Sequence, residues 1–130
     1  MNSALWGASK RELFVAEASE LAEGDRQVFP LGGTEVGIYR VKGKLFAYEN
    51  MCPHQGGPAC EGLMMPKVRE VLTADKRYQR QCFDYGEWHI ICPWHGWEYD
   101  LTTGEFVADR KRRLKKYEVV ERNGSIYVRT

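Results

Sequence analysis

The chain has 130 residues, with 19 basic side chains against 18 acidic ones and a formal net charge of +1. That length suits a single domain over residues 1–130 with an ordinary core and leaves no room for a second, and the balanced charge argues against a generic nucleic-acid binder. No apolar run is long enough to span a membrane, and Met1 to Lys10 lacks the apolar stretch of a secretory signal, so the expected compartment is the cytoplasm.

In chain order, Leu13 to Ala16 is a strand candidate, and Glu17 to Leu21, rich in Ala and Glu, reads as a helical turn. Gln27 to Phe29 is a further strand. Val36 to Val41 and Leu45 to Glu49 alternate apolar and polar residues around Lys42-Gly43, which predicts a hairpin. Val68 to Thr73 and Arg77 to Phe83, around Asp75-Lys76, predict a second hairpin studded with Lys67, Arg69, Lys76, Arg77 and Arg80. Trp88-His89-Ile90-Ile91 reads as a strand. Arg110 to Lys116 is a basic run. Tyr117 to Arg122 and Ser125 to Arg129 flank Asn123-Gly124, a dipeptide suited to a type I′ turn. The fold class expected is therefore all-β, without internal repeats or low-complexity tracts.

Two short clusters stand out: Cys52-Pro53-His54 and Cys92-Pro93-Trp94-His95. Together they supply two thiolates and two imidazoles, a set suited to a mixed-ligand 2Fe-2S centre in which two cysteines hold one iron and two histidines the other. Each cluster offers one ligand of each kind, so the two loops must meet in space for Cys52 with Cys92, and His54 with His95, to share an iron. Gly56, Gly57 and Gly96 allow backbone to come close to an inorganic core, while Pro53 and Pro93 stiffen the loops. A Cys2His2 zinc site is the competing reading. The one-residue gap in the first pair and the glycine-rich flanks count against it, because structural zinc sites more often place two to four residues between ligands.

The stretches Cys52-Pro53-His54-Gln55-Gly56-Gly57-Pro58 and Cys92-Pro93-Trp94-His95-Gly96-Trp97-Glu98-Tyr99-Asp100, followed by Thr103-Gly104, resemble the Rieske motif in its soluble form, found in ferredoxins and ring-hydroxylating oxygenases. The N-terminal strands and the closing hairpin are similar as well. The resemblance implies an antiparallel β-sandwich with a small cluster-binding subdomain formed by two loops, residues 52–60 and 92–97. It implies one 2Fe-2S cluster per chain, bound by Cys52, His54, Cys92 and His95. A separation of 37 residues between His54 and Cys92 exceeds the family's usual spacing, and the excess reads as an insertion at about 62–88. That insertion is either a docking element or a solvated excursion.

High-potential Rieske proteins tie their loops with a disulfide, and Trp94 stands here where one of its cysteines would be. Cys60 and Cys82 remain, and in a cytoplasmic protein they are expected to be free thiols. Trp97 occupies the place of a serine that donates to the cluster in high-potential members, whereas Tyr99 is retained. Tyr99 is either such a donor or a core aromatic. The expected potential is toward the bottom of the Rieske range, on the order of −150 mV. Reduction adds negative charge beside His54 and His95, so the potential is expected to fall with pH in the alkaline range.

The chain has three histidines, and committing His54 and His95 to a cluster leaves His89, expected as a packed or surface strand residue. One spare imidazole cannot build the site of two histidines and a carboxylate that oxygen-activating iron requires. No catalytic residue is assigned, and the expected role is electron transfer rather than catalysis. The resemblance implies a flavin-containing reductase as donor and a terminal oxygenase as acceptor, with neither nucleic acid nor membrane as partner. Two alternatives stay open, a Rieske subunit held in a larger oxidoreductase and an iron-sulfur redox sensor. The basic run from Arg110 reads as a solvated face or as a surface that steers an acidic redox partner.

Overall fold

The computed structural model describes residues 11–53, 56–72, 74, 78–94 and 96–130, with backbone alone at 69–72 and 78–85. Its strands divide between two compact units, Met1–Glu49 with Lys115–Thr130, and Asn50–Leu114. The first unit opens with β1 (Glu12–Glu17), a 3-10 turn at Ala18–Glu20, β2 (Arg26–Leu31), β3 (Thr34–Val41) and β4 (Lys44–Glu49). The second holds β5 (Leu63–Leu72), β6 (Tyr78–Ile91), β7 (Glu98–Asp100), β8 (Glu105–Phe106) and β9 (Asp109–Arg113). The chain then returns to the first unit with β10 (Lys116–Arg122) and β11 (Ser125–Arg129). The fold is all-β and antiparallel, as the alternation predicts.

In the first unit six strands lie in the order β1-β11-β10-β4-β3-β2. Three of its turns have positive φ at both central residues: Gly32 at 49° and Gly33 at 87°, Lys42 at 55° and Gly43 at 74°, Asn123 at 53° and Gly124 at 79°. Those angles match the right-handed twist of the flanking strands. Along β11 burial alternates with period two, sending Ile126 and Val128 inward. They pack with Val36, Ile38, Ala47 and Leu21 in one apolar cluster, in which each Val, Ile and Leu side chain contributes about 1.5–3 kcal/mol by leaving water. The predicted helical turn is the 3-10 turn, closed by the Glu20 carboxylate accepting from the Glu17 backbone N–H at 2.9 Å.

The second unit is a five-stranded sheet, β5-β6-β7-β8-β9, and it contains both loops. The hairpin predicted around residue 75 is the far part of one continuous β5–β6 ladder running from Leu63↔Ile91 to Leu72↔Tyr78. The register slips after the Pro66↔Trp88 pair, where proline has no N–H to give to the ladder. Ile90, Tyr99, Leu101 and Leu114 are its fully buried core. β9, by contrast, is exposed along its whole length.

Candidate metal centre

Both loops leave the second unit's core at a cysteine. The first is closed by two reciprocal backbone bonds, Cys52 N–H to Gly57 O and Gly56 N–H to Cys52 O, each 2.7 Å. Asn50 secures the turn after it: its Oδ1 accepts from the Cys60 N–H at 2.8 Å, and its Nδ2 donates to Glu61 at 2.9 Å. The second loop leaves β6 at Cys92, whose N–H bonds Trp97 O at 2.8 Å, and rejoins the sheet at β7. At both ends of the first loop's exit, backbone and ring come too close for any side chain. A Cβ on Gly62 would lie 1.6 Å from Ile91 O, and one on Gly57 would lie 2.8 Å from the Trp94 ring. Glycine at 57 and 62 is thus what lets the two loops close on one another.

That closure buries two sulfurs together. Cys52 is 2% exposed and Cys92 fully buried, and neither is in a disulfide. Burial pushes the Cys92 thiol up; the Trp94 backbone N–H draws it back, and the neighbouring Cys52 sulfur adds to the rise. Tyr99, fully buried on β7, sets its hydroxyl 2.9 Å from Cys52 Sγ. The choice left open from sequence is therefore decided: Tyr99 is a sulfur contact and a core aromatic at once. Its own ionisation is pushed well above the usual phenol range, chiefly by burial and then by the bond to Cys52, so it stays a protonated group able to donate.

Two buried sulfurs side by side, with burial opposing the ionisation of Cys92, fit a centre that brings compensating positive charge, since thiolates are the metal-binding form. Sulfur donors suit an iron-sulfur cluster or zinc. His54 and His95, the other two predicted ligands, lie outside the described residues. Cys60 is fully buried in the turn that follows the first loop. The Cys82 side chain is not described.

His89 is a packed strand residue, 2% exposed. Its Nε2 lies 2.6 Å from Glu87, and its Nδ1 bonds the Glu98 carboxylate. Because Glu98 begins β7, His89 pins together the two strands that carry the second loop. Neither glutamate stands out in the sequence, because the contact with Glu98 depends on the pairing of β6 with β7. Trp97 stacks on Phe106, with ring centroids 4.0 Å apart and planes 5° from parallel.

Paired turns that bury two sulfurs under a tyrosine hydroxyl and a backbone N–H define a metal-thiolate protein. The chain belongs to the Rieske [2Fe-2S] domain family, whose description matches residues 11–118. Its cofactor is accordingly a Rieske-type 2Fe-2S cluster and not zinc. It is similar to the terminal oxygenase component CarAa of carbazole 1,9a-dioxygenase from Sphingomonas sp, at 31% identity over 120 residues, covering 85% of this chain and 27% of that one. The chain thus spans about a quarter of that relative's length. The ferredoxin component of the alkene monooxygenase system of Xanthobacter autotrophicus is 24% identical over 116 residues, covering 89% of this chain and 79% of its own. Among solved structures, the ferredoxin of carbazole 1,9a-dioxygenase from Nocardioides aromaticivorans shares the fold. The TM-score is 0.63 at 24% identity, over 90% of this chain and 95% of that one. No helix among the described residues is long and apolar enough to cross a membrane.

Proposed function

We propose that this chain is a one-electron carrier of a multicomponent oxygenase system, its cluster held by Cys52, His54, Cys92 and His95, with a flavin-containing reductase as donor and a terminal oxygenase as acceptor. The observation that carries the reading is the buried Cys52–Cys92 sulfur pair, capped by Tyr99 and built on paired loops. The ferredoxin named for the alkene monooxygenase system supports it, because that relative is matched over most of its own length. The bound cluster supplies reversible uptake of a single electron.

The chain's residues hold and shield it. Gly57 and Gly62 let the loops close, so water is kept from the sulfur side, where Cys92 is fully buried. The Tyr99 hydroxyl donates to Cys52 Sγ and favours the more negative state of that sulfur. His89, Glu87 and Glu98 hold the strands on either side of the second loop in one register, which limits rearrangement when charge changes. His54 and His95 complete the donor set in this reading, and cytoplasmic residence is part of it.

The test is turnover. A flavoprotein reductase with a nicotinamide donor should reduce the holoprotein, and a terminal oxygenase should reoxidise it with one electron accounted for per chain. A holoprotein that is reduced chemically yet exchanges no electrons with either component would defeat the proposal. The longer oxygenase relative, in which the matched region is part of a larger chain, favours a second reading, a Rieske subunit stably bound in a larger oxidoreductase. Purification from the native host separates the two, since a bound subunit co-purifies in fixed ratio and a carrier does not.

A further inference from the structure

β9 reads in the sequence as a bare run of charge, yet it is the edge strand of the sheet that carries both loops. It presents Arg110, Lys111, Arg112 and Arg113 with a single carboxylate, Asp109, and all five residues are exposed. The ion pairs along it are layered. Arg110 is 46% exposed over Asp100 at 13% and Glu105 at 25%, and Arg113 is 61% exposed over the same Glu105. The carboxylates of Asp100 and Glu105 are recessed beneath Arg110 and Arg113, whereas Arg112, 57% exposed, pairs at 3.6 Å with Asp109, itself 46% exposed. Lys111 makes no ion pair among the described residues, and only its backbone N–H is engaged, by Asp109.

The edge is joined to the cluster-binding loop. Arg112 lies over the Trp97 ring, 5.9 Å from its centroid. Trp97 is braced from its other contact by Phe106 and accepts the Cys92 N–H through its backbone carbonyl. The loops themselves expose apolar surface beside each cysteine: Met51, next to Cys52, is 50% exposed, and Trp94, two residues beyond Cys92, is 48% exposed. Trp94 is fixed by Gly57 beneath it. Exposed apolar side chains on the loops, joined through Trp97 to a cationic strand edge, are the composition of a recognition surface rather than of a solvated one.

We infer that β9 and the exposed Met51 and Trp94 form the docking surface of this chain, and that its occupant is a redox protein presenting carboxylates around an apolar patch. The inference rests on the carrier reading above and adds the charge of the partner. Cations held by recessed acids lose little conformational freedom on meeting a carboxylate, and their field raises the encounter rate while leaving contact to the apolar centre.

The test measures the second-order rate at which an acidic flavodoxin, in its hydroquinone form, reduces the oxidised holoprotein, against ionic strength. Attraction predicts a rate that falls about tenfold between low and high salt. Lys111→Glu should lower the low-salt rate about fivefold and flatten its salt dependence, whereas Lys44→Glu, the same charge change on β4 of the other sheet, should alter it less than twofold. The milder pair K111Q/R112Q serves if charge reversal impairs folding, and should lower the rate in the same direction. A rate that is flat or rises with salt, or equal effects of the 111 and 44 variants, would overturn the inference. So would retention of single-stranded DNA at salt that abolishes the flavodoxin effect, which would assign β9 to a polyanion. Electron paramagnetic resonance of the same samples separates the failures: loss of histidine-ligated cluster character defeats the carrier reading, while an intact cluster with no salt effect defeats the docking surface alone.

Discussion

Tyr99→Phe removes one hydroxyl from beside Cys52 Sγ and leaves the ring, which is fully buried and tilted against Phe106 at 5.7 Å, in its place. A hydrogen bond to a charged acceptor is worth about 1.5–3 kcal/mol, and only the part that grows when the sulfur becomes more negative moves the potential. Taking that part as about 1 kcal/mol gives a fall of about 40 mV for a one-electron couple, since tenfold in equilibrium corresponds to about 59 mV. The donor distance of 2.9 Å places the contact in the range of a direct bond. Because burial and the Cys52 bond push the phenol's ionisation well upward, the difference between wild type and variant should stay constant across the neutral range. It should not vanish at mildly alkaline pH. Protein-film voltammetry on both proteins reads the shift directly. A change smaller than about 15 mV, or a rise, would refute the assignment of Tyr99 as a donor to this sulfur.

Gly62→Ala should destabilise the second unit by about 3 kcal/mol and lower cluster content, since the new Cβ meets Ile91 O rather than a movable side chain. Chemical denaturation and iron analysis check it, and a fully loaded variant of wild-type stability would contradict the close approach. Glu12, held between Arg122 and Arg129, has its pKa lowered to about 2. Any stability this group contributes is therefore complete above the ordinary carboxylate range and lost progressively as pH falls from that range through about 2. Carbon-13 titration should find Glu12 still ionised at about pH 3.5, and R122Q/R129Q should return it to the usual range. His89→Gln should loosen the start of β7, speeding amide exchange at Glu98 to Asp100 while leaving β11 unchanged. Equal acceleration in both sheets would argue against a local pin.

Much of the fold was legible because its turns carry their own chemistry. Lys42-Gly43 and Asn123-Gly124 announce hairpins through the positive φ they must adopt, and β11 shows its buried face by strict alternation. β9 was not legible, since a strand exposed on every residue has no apolar period to read. Pro66 hid the first half of β5, because proline argues against a ladder, and the chain admits it by slipping register just beyond it. In the site, Cys52 and Cys92 were readable from residue type and spacing. Tyr99's bond to sulfur depends on the Ile90↔Tyr99 register, a tertiary fact that no local pattern encodes. Glu87 and Glu98 flanking His89 were invisible for the same reason.

The central claim is that Cys52 and Cys92 bind one iron while His54 and His95 bind the other. The most direct measurement is pulsed resonance of the dithionite-reduced, anaerobically purified protein with nitrogen-15 histidine, together with iron and acid-labile sulfide analysis. The account predicts a 2Fe-2S content with two directly coordinated imidazole nitrogens, a signal unchanged in its nitrogen couplings by His89→Gln. Absence of labile sulfide, or a cluster whose couplings come from sulfur ligation alone, would contradict it.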